Sequence, residues 1–114
     1  MTDFGNAMRL SIYTDEGAQT GDARVVDVIV RRARRDGLAG ATALRGRTGF
    51  GSGSAIHEHH LFGIDDNPPV VVEIVEEEAR LRTFAASLAD LRDIGLITIE
   101  SVQVLRRRQV RNEL

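Results

Sequence analysis

The sequence contains no cysteine, which removes disulfides, thiolate zinc sites and cysteine nucleophiles together. It contains no lysine either, because every one of its fifteen basic residues is arginine. A Walker-type phosphate loop needs a lysine to reach the terminal phosphates, and Schiff-base chemistry needs a lysine amine, so both are excluded. Codon bias in a GC-rich genome is the simplest source of the arginine excess. Aromatic residues are scarce, four Phe and one Tyr. A sheet that stacks nucleic-acid bases requires aromatic rings, so RNA or DNA is not the expected partner. No apolar run is long enough to cross a bilayer, so direct membrane insertion is not expected. The opening segment Met1–Asn6 has neither the basic start nor the apolar centre of a secretory signal, and a cytoplasmic location is the expectation. A formal net charge of −2 creates no demand for a polyanionic partner.

What is present suits one domain. A chain of 114 residues with 42% apolar content can bury a core of its own. The expected unit is residues 1–114, with an ordered core over about 8–105, a mobile loop over about 47–55 and a basic tail from 106. Met8, Leu10 and Ile12 alternate with Arg9, Ser11 and Tyr13, the period of a half-buried strand. Asp22 stands where a helix cap is expected. Val26, Ile29, Val30 and Ala33 then repeat at helical spacing, and Gly37 supplies a left-handed stop.

Residues 38–46 read as a second strand, with Ala41 and Ala43 on one face and Thr42 and Leu44 on the other. Five Gly and Ser residues follow between Arg47 and Ala55, a stretch that cannot pack against itself. Ile56–Ile64 is strand-like again, and Asp65-Asp-Asn-Pro-Pro69 breaks that pattern. Val70–Val75 is the most apolar run, a predicted central strand with Glu73 inside it. A carboxylate there must meet an arginine, an interface or a ligand. Residues 76–93 predict a second helix with Leu81, Phe84, Ala85, Leu88 and Leu91 as its buried stripe, ended by Gly95. The last strand covers residues 96–105. Its apolar parity shifts from Ile97 and Ile99 to Val102 and Val104, which predicts a bulge near Glu100 and Ser101.

The order β-α-β-β-α-β is the ferredoxin-like arrangement, α+β, with one antiparallel sheet and both helices on one face. The other face, with Ala41, Ala43 and one side of the Val70 strand, would be bare in a monomer. A partner subunit is therefore expected.

Several segments together resemble a known family. They are Gly37-Leu-Ala-Gly-Ala-Thr-Ala-Leu-Arg-Gly46, Gly49-Phe-Gly51, His57, Pro69-Val-Val-Val-Glu-Ile-Val75 and Gly95-Leu-Ile-Thr-Ile-Glu100. In that order they are similar to the PII-like family called domain of unknown function 190, over about Met8–Leu105. The resemblance implies a homotrimer that binds adenine nucleotides in clefts between subunits and contacts a target protein, a membrane transporter or an enzyme, through a hairpin T-loop. It implies that Thr42 faces the adenine and that Gly49-Phe50-Gly51 lies against the nucleotide. It also implies that Glu73 stands near the site and that Arg106 and Arg108 reach the phosphates. PII itself carries a glycine-rich, lysine-bearing loop where this chain has only Ile94-Gly-Leu96, and its T-loop is far longer.

The candidate ligand site is accordingly Thr42, Arg45, Arg47, Gly49, Phe50, Gly51, Glu73, Arg106 and Arg108, for a small anion such as an adenine nucleotide. Glycines at 49, 51 and 53 let a backbone approach an anion closely, and equally serve a plain hairpin tip. Phe50 can stack on a base or anchor its own loop. His57 and His59 share a face if extended, and offer an alternative reading as a metal site. A structural adaptor indifferent to small ligands is a third. No catalytic constellation emerges. Ser52 and Ser54 do not form a nucleophile elbow, and the acidic pairs read as turn and helix-start residues.

Overall fold

The computed structural model describes residues 3–49 and 67–106. Its elements are β1 (Phe4–Asp15), β2 (Gln19–Thr20), β3 (Ala23–Arg24), α1 (Val25–Arg35), β4 (Thr42–Arg45), β5 (Pro69–Glu76), α2 (Glu78–Ala86) and β6 (Ile97–Leu105). Four of the strands form one antiparallel sheet in the order β4-β5-β1-β6. β2 and β3 make a separate two-stranded hairpin. Apart from that hairpin, the described elements follow the β-α-β-β-α-β order, and the Val70 run is a central strand. The strand-like pattern at Ile56–Ile64 lies outside the described residues.

Side chains alternate between the two faces of each strand, and directly opposed residues share a face. Leu10 and Ile12 of β1 oppose Ile74 and Val72 of β5, and all four are buried. Against that face pack Val25, Val26, Ile29 and Ala33 of α1 and Leu81 and Phe84 of α2, forming one core. Full burial of each Val, Leu, Ile or Phe side chain among them contributes about 1.5–3 kcal/mol. Both helices thus cover one side of the sheet, and among the described residues no element packs over the other, the open face.

α1 ends as its sequence requires. Gly37 has φ +75°, its N–H donates to Arg34 O, and the Leu38 N–H donates back to Ala33 O. These two bonds satisfy carbonyls that the helix end would leave bare. The start differs from expectation. Arg24, not Asp22, is the residue before the first turn, and it makes no side-chain cap. Asp22 sits instead in the tight turn of the β2–β3 hairpin, beside Gly21 at φ +60°.

α2 is shorter than its apolar stripe. Leu88 and Leu91 are buried with Leu81 and Phe84, yet the α-helix ends at Ala86. Beyond it the N–H groups of Leu88, Ala89 and Leu91 bond three residues back, to Ala85, Ala86 and Leu88. This tighter winding keeps the stripe on the core. The Ser87 hydroxyl donates to Phe84 O at 2.6 Å, at the point where the winding changes. The left-handed residue that turns the chain is Asp93, φ +65°, rather than Gly95. The Gly95 N–H donates to Tyr13 O at 2.7 Å and feeds the chain into β6.

β6 contains no bulge. Its register against β1 is unbroken from Ile12↔Ile97 to Phe4↔Leu105. The parity shift in the sequence therefore has another meaning: the apolar residues change faces. Ile97 and Ile99 lie on the helix-covered side with Ile12 and Leu10, whereas Val102 and Val104 lie on the open side with Ala7 and Gly5. Beyond Met8, β1 and β6 continue as a two-stranded ribbon past the end of β5.

Candidate functional site

The sheet register brings four polar residues into one row on the open face. Thr42 of β4 opposes Glu73 of β5, Glu73 opposes Ser11 of β1, and Ser11 opposes Thr98 of β6. Ser11, on the central strand β1, is buried even in the single chain. Glu73 is half-buried. Among the described residues no arginine comes within ion-pair distance of Glu73. Arg9, diagonally placed on the same face, turns the other way and donates from Nη2 to Glu100 at 2.7 Å. Its Nε is buried and lacks a partner among the described residues.

Apolar residues flank the polar row on both sides. Leu44, Val71 and Tyr13 lie on one side and Val75 on the other, with Ala7, Val102 and Val104 further along the ribbon. Tyr13 is 42% exposed, Leu44 46% and Val75 37%. The open face is thus largely apolar, crossed by the row of hydroxyls and the Glu73 carboxylate, with the Arg9–Glu100 ion pair beside Val75. Its composition differs from the expected one. Ala41 packs toward the helix-side core, and Ala43 opposes Val72 on that same side. Thr42 and Leu44 occupy the open face instead.

The arginines are distributed differently. Arg45 opposes Val70 and so lies on the helix-covered side, away from Thr42 and Glu73. Its Nε stands 3.7 Å from the Glu16 carboxylate. Arg47 and Gly49 follow at the start of the loop, both exposed. Gly46 is pressed against Pro69, where a Cβ would stand 2.8 Å from the proline Cγ, and its N–H donates to Pro69 O at 2.7 Å. Gly49 has φ +153° and lies close to the same proline. Arg106 is at the far end of the ribbon, eight residues beyond Thr98. At about 3.3 Å per residue that is roughly 25 Å from the Thr42–Glu73 row within one chain. Phe50, Gly51, His57, His59 and Arg108 lie outside the described residues, and so does most of the 47–55 loop.

Two further clusters hold the ends of these elements, and sequence reasoning missed both. The Glu76 carboxylate, 12% exposed, accepts from the Glu77 N–H at 3.0 Å and the Ala39 N–H at 2.8 Å, and pairs with Arg80 at 3.3 Å. The Glu77 N–H, countered in part by desolvation, and then the Ala39 N–H and Arg80 hold its pKa below the usual carboxylate value. Arg80 also donates to Asp36 O and Gly37 O. The turn that leads into Gly40–Thr42 is therefore pinned to the start of α2. On the other side of the helix layer Arg32 grips Asp90 with two bonds, at 2.9 and 2.8 Å, and reaches Ser87 O. That bond raises the pKa of Arg32 and lowers that of Asp90.

Among the described residues no group of three or more His, Asp or Glu is arranged to hold a metal ion. No helix among them is long and apolar enough to cross a membrane.

Comparison with known proteins agrees with this architecture. The family model DUF190, described as Uncharacterized ACR, matches residues 7–104. A UPF0166 protein of Aquifex aeolicus (strain VF5) is 35% identical over 96 residues, covering 84% of this chain and 90% of that protein. A UPF0166 protein of Methanocaldococcus jannaschii is 29% identical over 98 residues, covering 85% and 90%. Among solved structures, a candidate PII-like signaling protein from Thermus thermophilus superposes with a TM-score of 0.62 at 15% identity, over 90% of this chain and 92% of that one. CPII from Thiomonas intermedia K12, bound to ADP and bicarbonate, gives a TM-score of 0.56 at 19% identity, over 91% and 93%. The apo form of CPII, a nitrogen regulatory PII-like protein, gives 0.58 at 16% identity, over 94% and 100%. At such identities the likeness is one of fold. The chain belongs to the DUF190 family, and its α+β fold, an antiparallel sheet with two helices, is similar to that of PII-like proteins.

Proposed function

We propose that this protein is a PII-like regulator that joins as a homotrimer through the open sheet face. It would bind a small anionic ligand, an adenine nucleotide, in clefts between subunits. It would report the bound state to a target protein, a transporter or an enzyme, through the loop that begins at Arg47. The observation that carries the reading is the direct opposition of Thr42 and Glu73 on an open apolar face. An apolar surface of this kind is where protein contacts form. The carboxylate and hydroxyls crossing it would otherwise be poor choices for a covered surface.

The distance to Arg106 fits the same reading. Roughly 25 Å of strand separates Arg106 from the Thr42 row in one chain, so only a neighbour's Arg106 could close a cleft around it. The fold similarity to CPII, a protein with ADP and bicarbonate bound in its structure, supports a nucleotide and a small anion as the first ligands to try. Signalling then follows from a population shift. A ligand that favours one arrangement of the loop changes how often a partner meets it, by as much as its affinities for the two arrangements differ.

Light scattering on the purified chain provides the first test. A trimer gives three times the 12.5 kDa chain mass. Calorimetry against ATP, ADP, AMP, cyclic nucleotides and bicarbonate provides the second. A monomer that gives no heat with any of them would remove the reading.

A further inference from the structure

The described charges converge at one point that the proposed function leaves unused. Glu16 follows β1 at the foot of both loop arms. Its N–H donates to Pro68 O at 2.9 Å, and the N–H of Gly17 donates to the Asn67 side-chain oxygen. The link after β1 is thereby stitched to the returning arm. The Glu16 carboxylate, 24% exposed, faces two arginines. Arg24 meets Oε2 in close contact, while Arg45, on the outgoing arm, stands 3.7 Å from Oε1 with its own side chain 66% exposed.

These two arginines are held unequally. Arg24 has a second carboxylate, Asp27, at 3.1 Å. Among the described residues Arg45 has Glu16 alone. An anion arriving at the loop base therefore competes with Glu16 for Arg45 and leaves Arg24 in place. A guanidinium gives up a long, exposed carboxylate contact readily for a two-pronged bond to phosphate.

We infer that Glu16 is a built-in competitor of the anionic ligand, holding Arg45 in the empty protein and yielding it when a phosphate-bearing ligand binds. This rests on the proposed anion reaching the edge of β4 at the loop base, where the exposed Arg45 leaves the strand on the face opposite Thr42 and Glu73. Glu16 also ties the outgoing arm, through Arg45, to the link that holds the returning arm. Releasing Arg45 would loosen one arm at its base while Gly46 and Pro69 keep the stem closed. The contact is then autoinhibitory, and the sign of its removal is diagnostic. A residue needed only for structure weakens binding when lost, whereas a competitor strengthens it.

The test is calorimetric titration of ADP into the full chain, comparing wild type, Glu16→Gln, Arg45→Gln and the double variant. Glu16→Gln keeps the backbone bonds of residues 16 and 17, and Arg24 retains Asp27, so folding should persist, which thermal melting checks. Glu16→Asp, whose shorter carboxylate draws back from Arg45, gives a second and milder version. The expected result is about two- to fivefold tighter ADP binding in Glu16→Gln, the range open to an exposed ion pair. The gain should shrink at high ionic strength and vanish in the Arg45→Gln background. Unchanged or weaker binding in Glu16→Gln, with wild type still binding ADP, would overturn the inference alone. A gain that survives in the double variant would overturn it too. Absence of ADP binding in wild type would instead overturn the nucleotide reading, and this inference with it.

Discussion

Replacing Glu76 by glutamine should destabilise the protein at neutral pH and leave it nearly unchanged in acid. The wild-type carboxylate is 12% exposed and binds the Glu77 N–H, the Ala39 N–H and Arg80. Glutamine keeps one acceptor oxygen, so one backbone N–H and the charge of Arg80 are left without their partner. A hydrogen bond to a charged group contributes about 1.5–3 kcal/mol, which sets the expected loss. For a domain of this size roughly 4 °C accompanies each kcal/mol, so the melting temperature should fall by about 6–12 °C at pH 7. The sign with pH follows from the lowered pKa. The stabilisation is complete above the ordinary glutamate value of 4.5 and is lost as pH falls through the lower folded value. Melting curves of the two proteins should therefore separate at pH 7 and converge in acid. Equal melting at pH 7, or a constant gap down to low pH, would refute the assignment of Glu76 as the charged anchor of the turn before Thr42.

Other outcomes follow from the same geometry. Val102→Glu places a charge on the open face without touching the helix-side core, and light scattering should show subunits dissociating while circular dichroism stays native; an intact trimer would exclude that face as the interface. Gly46→Ala drives a methyl group against the Pro69 ring at 2.8 Å and should cost about 1–3 kcal/mol in chemical denaturation, the range for overpacking. Phe84→Ala empties a site that is 2% exposed and should cost about 3–5 kcal/mol by the same measurement.

The sequence reading succeeded where periodicity is local. Alternation over Met8–Thr14, the stripe of α1, the stop at Gly37 and the apolar Val70 run each state their structure within a few neighbouring residues. It failed where long-range pairing decides. Phe4-Gly-Asn-Ala7 has little strand character, yet it is strand because β6 pairs with it residue by residue. The parity shift in β6 cannot be told from a bulge in one dimension, since either moves an apolar residue by one place. Only the register against β1 separates a kinked strand from a strand that serves two faces. The faces of β4 are similarly ambiguous: the register puts Ala43 with Val72 on the helix side, and small size alone suggests the reverse.

The candidate site was legible in part. Thr42 and Glu73 each stand out in the sequence, whereas their opposition is a property of the β4–β5 register. Glu16 and Glu76 carried no signal, because Glu16 meets Arg45 across 29 positions and Glu76 meets Ala39 across 37. Such pairs are set by topology rather than by neighbouring sequence.

The measurement closest to the central claim is titration of ADP into wild type and a Glu73→Gln/Thr42→Val double variant, with oligomeric mass recorded on the same samples. The account predicts saturable binding by a wild-type trimer and at least tenfold weaker binding by a variant of unchanged mass, about the loss of one charged hydrogen bond. Equal affinity in the two proteins, or no binding by a wild-type trimer, would contradict it.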